Sequence, residues 1–335
     1  MTCEKRGCAS RGRPCRRARE VTELFPLRPL LPLRLMLPLR LMLRVRPLLR
    51  MALFAMAALH SGATLAQALA PALRTSQLDQ QWLDTVVSIE RLSAEGNEAP
   101  VGTGFIVASA RNHLLLVTAR HVVQDAEGRL LRDLAYRLNR PGGASLLVRD
   151  AELEQAGGGS WFVSPRHDIG VRFLPLITGA SIKAIPLDRF VEEPQVRAGT
   201  PLAALGFPMG LRSVNHAMPI ARSGMVGRAD PASLLADLFV FPGNSGGPVL
   251  YVPPLRAGSA TASGAEFVQH EMLVGMVSSF ISYSDVAVSK QTRRPRVVFE
   301  ENSGLANVVP AWVVRQFITS GEVNAMDERL AAGAR

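Results

Sequence analysis

The sequence predicts an all-β protein of the barrel or sandwich class. Three observations point that way. Short apolar, β-branched runs recur along the body of the chain, helical periods are few, and Gly and Pro interrupt the runs at regular intervals. No repeat of 20–50 residues is found. Each half of the body is long enough for one small barrel.

The chain has 335 residues and a net charge of +10, which invites a nucleic-acid reading. Residues 1–66 alone hold 13 Lys and Arg against 3 Asp and Glu, and the remainder carries 25 of each sign. The body therefore has no overall pull toward phosphate, and nucleic acid is excluded as a partner. Cys3, Cys8 and Cys15 all lie in the basic segment, without a fourth ligand at metal-binding spacing. The body has no cysteine and so no disulfide.

Residues 24–50 alternate Leu, Pro and Arg, which rules out a continuous helix. Arg44, Arg46 and Arg50 then precede the apolar run Met51–Leu59, and small residues follow to Ala66. This is the order of a secretory signal peptide, with cleavage expected after Ala66 and Met42 or Met51 as alternative starts. The apolar run is short for a spanning helix of about 20 residues, so an uncleaved anchor is the weaker alternative. Either way the body is expected in an exported compartment, periplasmic or secreted.

Residues 67–84 form a short N-terminal segment, with a short helix expected toward Leu83. Thr85–Glu90 reads as a strand by its β-branched content, and Glu95–Glu98 as a turn. Gly102–Val107 and Leu114–Ala119 are apolar runs bounded by turn residues, the pattern of buried strands. A turn is expected at Asp125–Gly128, a strand near Ala144–Arg149 and a loop at Gly157–Gly159. Asp168 enters a strand at Ile169–Leu174, and prolines between 175 and 200 mark a crossing between subdomains. Pro201–Gly206 reads as a strand, Ala217–Val226 as a strand pair, and Leu273–Phe280 as a strand. Residues 255–265 read as a flexible loop, and 283–301, with Arg293-Arg294-Pro295-Arg296, as a solvated loop. Pro310 opens a helix over 311–320, and 321–335 is a tail with little signal.

The chemistry-bearing stretch is Gly243-Asn244-Ser245-Gly246-Gly247-Pro248-Val249. A serine between glycines can be approached closely, and backbone N–H groups beside it can converge on one point. Serine needs a base, and the base needs an orienting acid. Taken singly, a histidine such as His121 or an aspartate such as Asp168 is more often structural. Together, His121, Asp168 and Ser245 supply nucleophile, base and acid.

Gly102-Thr103-Gly104-Phe105-Ile106, Thr118-Ala119-Arg120-His121-Val122, Asp168-Ile169-Gly170-Val171 and Gly243–Pro248 together resemble the chymotrypsin-like (trypsin-fold) serine peptidases. The style is closest to the exported bacterial Deg/HtrA type, and the resemblance covers about residues 85–320. It implies two packed six-stranded β-barrels with a short C-terminal helix, the first barrel over about 85–180 and the second over about 195–310. It further implies His121 and Asp168 from the first barrel, Ser245 from the second, and an oxyanion hole from the N–H groups of Gly243 and Ser245. Ser278 matches the serine that hydrogen-bonds the triad carboxylate in the family. Phe239, Ser279 and Phe280 would line the substrate pocket, with 304–310 as another wall. The family implies polypeptide substrates and neither cofactor nor metal, with membrane contact only through an uncleaved leader and the oligomeric state left open.

Two departures stand out. Asn244 occupies the place where many members have an Asp that pairs with a freed N-terminus, so the site is expected to form without N-terminal cleavage. Phe280 is large where the family often keeps a small residue, and no carboxylate stands near Phe239, which argues for small or apolar side chains at the cleavage site. The stretch after residue 320 is too short for the PDZ module of Deg/HtrA proteins. Two rival readings remain. An α/β-hydrolase esterase needs a helix after the serine, but Pro253-Pro254 follow Val249–Val252, and His270 sits in no supporting motif. A protease fold without turnover, holding peptides in its cleft, is the second.

Overall fold

The computed structural model describes residues 78–333, apart from Ala94, Val214 and residues 254–269. The leader and signal peptide at 1–66 with its three cysteines, most of the 67–84 segment and the loop at 255–265 lie outside the described residues.

The described chain is mostly β, in two sheets, with helix at its C-terminal end. A single helical turn, α1 (Gln80–Leu83), is capped by the Asp79 side chain and leads into the first sheet. That sheet contains β1 (Val86–Leu92), β2 (Glu98–Ala108), β3 (Leu114–Thr118), β4 (Leu134–Asn139), β5 (Ser145–Arg149), β6 (Phe162–Val163) and β7 (Gly170–Leu174). Helices α2 (Arg120–Val123) and α3 (Asp150–Gln155) interrupt it. Its strand order is β5-β4-β1-β2-β3-β7-β6. β3 reads as an unbroken apolar run because it lies between β2 and β7 with Leu115, Leu116 and Val117 fully buried.

The expected six-stranded barrel is corrected here, since the sheet has seven strands and two ends, β5 and β6. The chain passes from β5 directly into α3, so a helix follows where a further ladder would be needed. Asp150 at the start of α3 accepts from Tyr136 of β4 at 2.5 Å and pairs with Arg172 of β7. Side chains thus bridge β4, α3 and β7.

The second sheet contains β8 (Pro201–Gly206), β9 (Ile220–Asp230), β10 (Ser233–Asp237), β11 (Pro248–Tyr251), β12 (Met272–Val288) and β13 (Pro295–Pro310). Its six strands run β10-β13-β12-β11-β8-β9, and pairing of β9 with β10 closes the barrel. Three expectations are corrected in this half. The strand pair at 217–226 is instead the beginning of one strand, β9, whose hairpin partner is β10. The segment 283–301 is a β-hairpin arm rather than a loop. The helix expected over 311–320 runs Ala311–Ile318, and the supposed tail is a further helix, Gly321–Gly333 (α5).

α4 (Ala311–Ile318) buries Ala311, Val313, Val314 and Ile318, one apolar stripe of a helix. α5 packs Val323, Met326 and Leu330 on the core and is also held by polar contacts. Asp327, buried, accepts from Ser109 at 2.6 Å and meets His113 at 2.6 Å and Arg111 at 3.3 Å, all in the turn between β2 and β3.

Candidate active site

β3 ends at Thr118, and the single turn α2 carries His121 immediately beyond it. The Arg120 guanidinium donates to Ser164 O at 2.8 Å, which ties this turn to the segment leading into β7. That segment presents Asp168. His121 N–H donates to Asp168 Oδ1 at 3.1 Å, and His121 Nδ1 lies 2.9 Å from Asp168 Oδ2. The imidazole is thus held by its backbone and by its ring. With Nδ1 as the donor, the lone pair falls on Nε2.

Ser278 of β12 comes to the same carboxylate from the other sheet, donating its hydroxyl to Asp168 Oδ2 at 2.6 Å. Burial works against the Asp168 charge. The hydrogen bonds from His121 and Ser278, with the His121 charge, outweigh burial and hold its carboxyl below the ordinary carboxylate range.

Ser245 lies on the loop before β11. Its hydroxyl donates to Ser278 O at 3.2 Å. Among the described residues no hydrogen bond joins it to His121. Its carbonyl accepts from Thr103 N–H at 2.8 Å. The structure therefore gathers His121, Asp168, Ser278 and Ser245 from both sheets, with Ser245 joined to the others through Ser278.

The glycines of the loop answer to close approaches. Gly243 has φ +97°, and a Cβ there would overlap Phe207 O. Gly246 has φ +82°, and a Cβ there would overlap Thr103 O and Thr118 Oγ1. The carbonyls on either side of the Gly243 N–H are both occupied: Met209 N–H donates to Pro242 O at 2.6 Å, and Thr103 Oγ1 donates to Gly243 O at 2.6 Å. The N–H groups of Gly243 and Ser245 take no partner among the described residues.

Asn244 is fully buried. Its Oδ1 accepts from Phe241 N–H at 3.0 Å, and its Nδ2 is without a partner among the described residues. Here the side chain shapes a turn inside the loop itself.

Phe239 is half-exposed, with its ring 5.6 Å from that of Phe241. A Cβ at Gly304 would come within 3.2 Å of the Phe239 ring. Asn302 Nδ2 donates to Val240 O at 2.5 Å and holds this region to β13. Ser279 Oγ accepts from Asn307 Nδ2 at 3.1 Å, and Phe280 is partly exposed beside it. No group of three or more His, Cys, Asp or Glu placed to hold a metal ion occurs among the described residues.

Sequence reasoning gave Thr103 and Met209 no role. Thr103 is buried and hydrogen-bonds Ser245, Gly243, Phe207 and Thr118. A threonine between two glycines was its signal. Met209 has φ +53°, and its place in Pro208-Met209-Gly210 reads only as a turn.

Residues 102–251 match the family model of the trypsin-like peptidase domain. That stretch contains His121, Asp168 and Ser245, and the match suggests a serine peptidase. A comparison with curated proteins gives no match. Among solved structures the chain is similar to human heparin binding protein, at 12% identity over 73% of this chain and 93% of that chain, with a TM-score of 0.42.

Proposed function

We propose that the protein is an exported serine endopeptidase whose nucleophile is Ser245, whose base is His121 and whose orienting acid is Asp168. The observation that carries this reading is the shared Asp168 carboxylate. It takes both N–H groups of His121 and the Ser278 hydroxyl, and the Ser278 carbonyl takes Ser245.

In the first step the Ser245 hydroxyl leaves Ser278 O by rotating between staggered χ1 wells and turns to His121 Nε2. The imidazole takes its proton as Oγ attacks the substrate carbonyl. Asp168, kept ionised, stabilises the imidazolium and fixes its tautomer. The negative charge on the carbonyl oxygen is received by the free N–H groups of Gly243 and Ser245, where one donor contributes about 3 kcal/mol. His121 returns the proton to the leaving amine. It then deprotonates the water that hydrolyses the acyl-enzyme.

Phe239, Ser279 and Phe280 form the pocket of this reading. With aromatic rings and no carboxylate, it selects small or apolar side chains. The neutral Asn244 fits a site that does not depend on pairing with a freed N-terminus.

Labelling with a fluorophosphonate probe tests the assignment. Wild-type protein should label covalently, and Ser245→Ala should not. Wild-type protein that stays unlabelled over a broad pH range would leave the fold holding peptides without turnover.

A further inference from the structure

The β12–β13 hairpin runs past the barrel. β10 pairs with β13 over Leu305–Val308, and β11 pairs with β12 over Met272–Met276. Farther out β12 and β13 pair only with each other, as far as Val288 and Pro295. They leave the barrel as a two-stranded ribbon, which has no core of its own and is marginally stable in water unless something covers it. Tyr283, Asp285 and Ala287 face the same way as their partners Glu301, Phe299 and Val297. Tyr283 is 60% exposed, Phe299 52% and Val297 49%, so this face carries an apolar strip open to solvent.

The charges on the ribbon are sorted by sign. Asp285, Glu300 and Glu301 stand nearer the barrel, and Lys290, Arg293, Arg294 and Arg296 stand toward the tip. Among the described residues none of them is in an ion pair, and the Asp285 carboxylate accepts only from Val286 N–H, at 2.8 Å. Glu300 and Arg294 are six residues apart, about 20 Å along an extended strand. Charges that far apart are screened at physiological salt, where the Debye length is about 8 Å, so the two groups do not satisfy each other within one ribbon. The tip is a formed turn. Ser289 N–H donates to Arg294 O at 3.0 Å and Arg293 N–H to Ser289 O at 2.9 Å. Arg293 itself takes a left-handed φ of +56°, which is uncommon outside glycine.

We propose that the ribbon is a docking surface for a second copy of this chain. Two ribbons lie antiparallel about a two-fold axis, with Tyr283, Val297 and Phe299 of one against the same residues of the other. The axis reverses the direction of the ribbon, so the basic tip of each copy comes over the acidic stretch of its partner. An anionic membrane would match the tip alone. A second copy matches both signs and the apolar strip between them. The contact is small beside the roughly 1,200–2,000 Å² of stable interfaces, so the dimer is reversible and set by concentration. β12 also carries Ser278, and the axis therefore relates two candidate sites, one in each copy. The inference stands on the ribbon and needs no turnover at Ser245.

Sedimentation velocity of the full chain tests this. Wild-type protein should pass from monomer to dimer as its concentration rises through the micromolar range, and added salt should weaken the dimer. R293E/R294E/R296E and D285K/E300K/E301K should each weaken self-association at least tenfold. Mixed in equal amounts, the two variants should form a heterodimer, and both sets of changes in one chain should restore the homodimer. Y283S/F299S should also weaken association at least tenfold. All these side chains are exposed, and far-UV circular dichroism checks that each variant folds. Wild-type protein that stays monomeric up to about 1 mM overturns the proposal. So does a charge-reversed variant that dimerises as the wild type does, or a mixture that stays unpaired. Vesicles containing about 30% phosphatidylserine read the membrane alternative. If they bind the wild type, and D285K/E300K/E301K more tightly still, while neither dimerises, the ribbon serves a bilayer and the proposal fails.

Discussion

The two sheets fill their interiors differently. In the first, Ser88, Glu90, Asp150 and Arg172 are all buried. Arg137 grips Glu90 with bonds of 2.7 and 2.9 Å, and Arg172 pairs with Asp150 beside Tyr136 and Trp161. The barrel packs Leu205, Val249, Leu250, Val274 and Met276 inside, and among its described residues the buried polar side chain is Asn244. The site divides in the same way. His121 and Asp168 stand on the polar sheet and are held by side chains. The Ser245 loop stands on the apolar barrel and is held through backbone carbonyls, by Thr103 and Met209. An ion pair fixes orientation but leaves a costly charge if half of it is removed. A backbone-held loop fixes donors in space and depends on glycine and close fit.

The largest effect expected from breaking this arrangement is on the polar side of the site. Asp168→Asn should lower kcat by about 10⁴-fold with little change in KM, measured on a peptide substrate, because the amide no longer sets the imidazole tautomer. Elsewhere in the first sheet, Arg172→Ala leaves Asp150 buried without its cation and should cost about 3–5 kcal/mol in urea unfolding. Replacing both by apolar residues of similar volume should recover most of that loss. Thr103→Val sharpens the comparison on the serine side. It removes the donor to Gly243 O and the acceptor for Phe207 N–H, costing about 1–3 kcal/mol. Its kcat should fall more than its KM rises, since the loop still folds but holds its donors less firmly.

How far these regions can be read from sequence follows from the same difference. Taken singly, His121 and Asp168 mark nothing; the candidate set His121, Asp168 and Ser245 is legible only from their order along the chain and the glycines around Ser245. The ribbon is not. Arg293-Arg294-Pro295-Arg296 imitates a solvated loop, and strands with no core beneath them lack the polar–apolar alternation that marks a buried face. β6 is two residues long, too short for any period, and β4 lies in a stretch of mixed pattern, so neither strand is read from the sequence. α5 escapes because its apolar stripe is only Val323, Met326 and Leu330, interrupted by the buried Asp327. Thr103 stands in a quoted motif, but its bonds lie 104 and 140 positions away.

The smallest expected effect concerns pH. Burial opposes the charge of Asp327, but bonds from Ser109, His113 and Arg111 overcome it and lower its carboxyl below the ordinary range, as happens at Asp168. A carboxyl lowered on folding contributes stability above its unfolded pKa of about 3.9 and loses it as pH falls through the lower folded value. Both should therefore steepen the acid limb of a thermal-unfolding series below about pH 4. Asp327→Asn should flatten that limb with kcat unchanged, and an unaltered slope would count against this role for the α5 contact.

That contact also bears on how the chain reaches its native state. Ser109 and Asp327 are 218 positions apart. An early turn therefore completes its hydrogen bonds only with a helix that is synthesised 218 residues later. Contacts of such separation close long loops and slow folding. Until α5 has been made, Ser109, Arg111 and His113 have no Asp327 to meet, so the turn beside β3, the strand that leads to His121, is fastened only after that helix has formed.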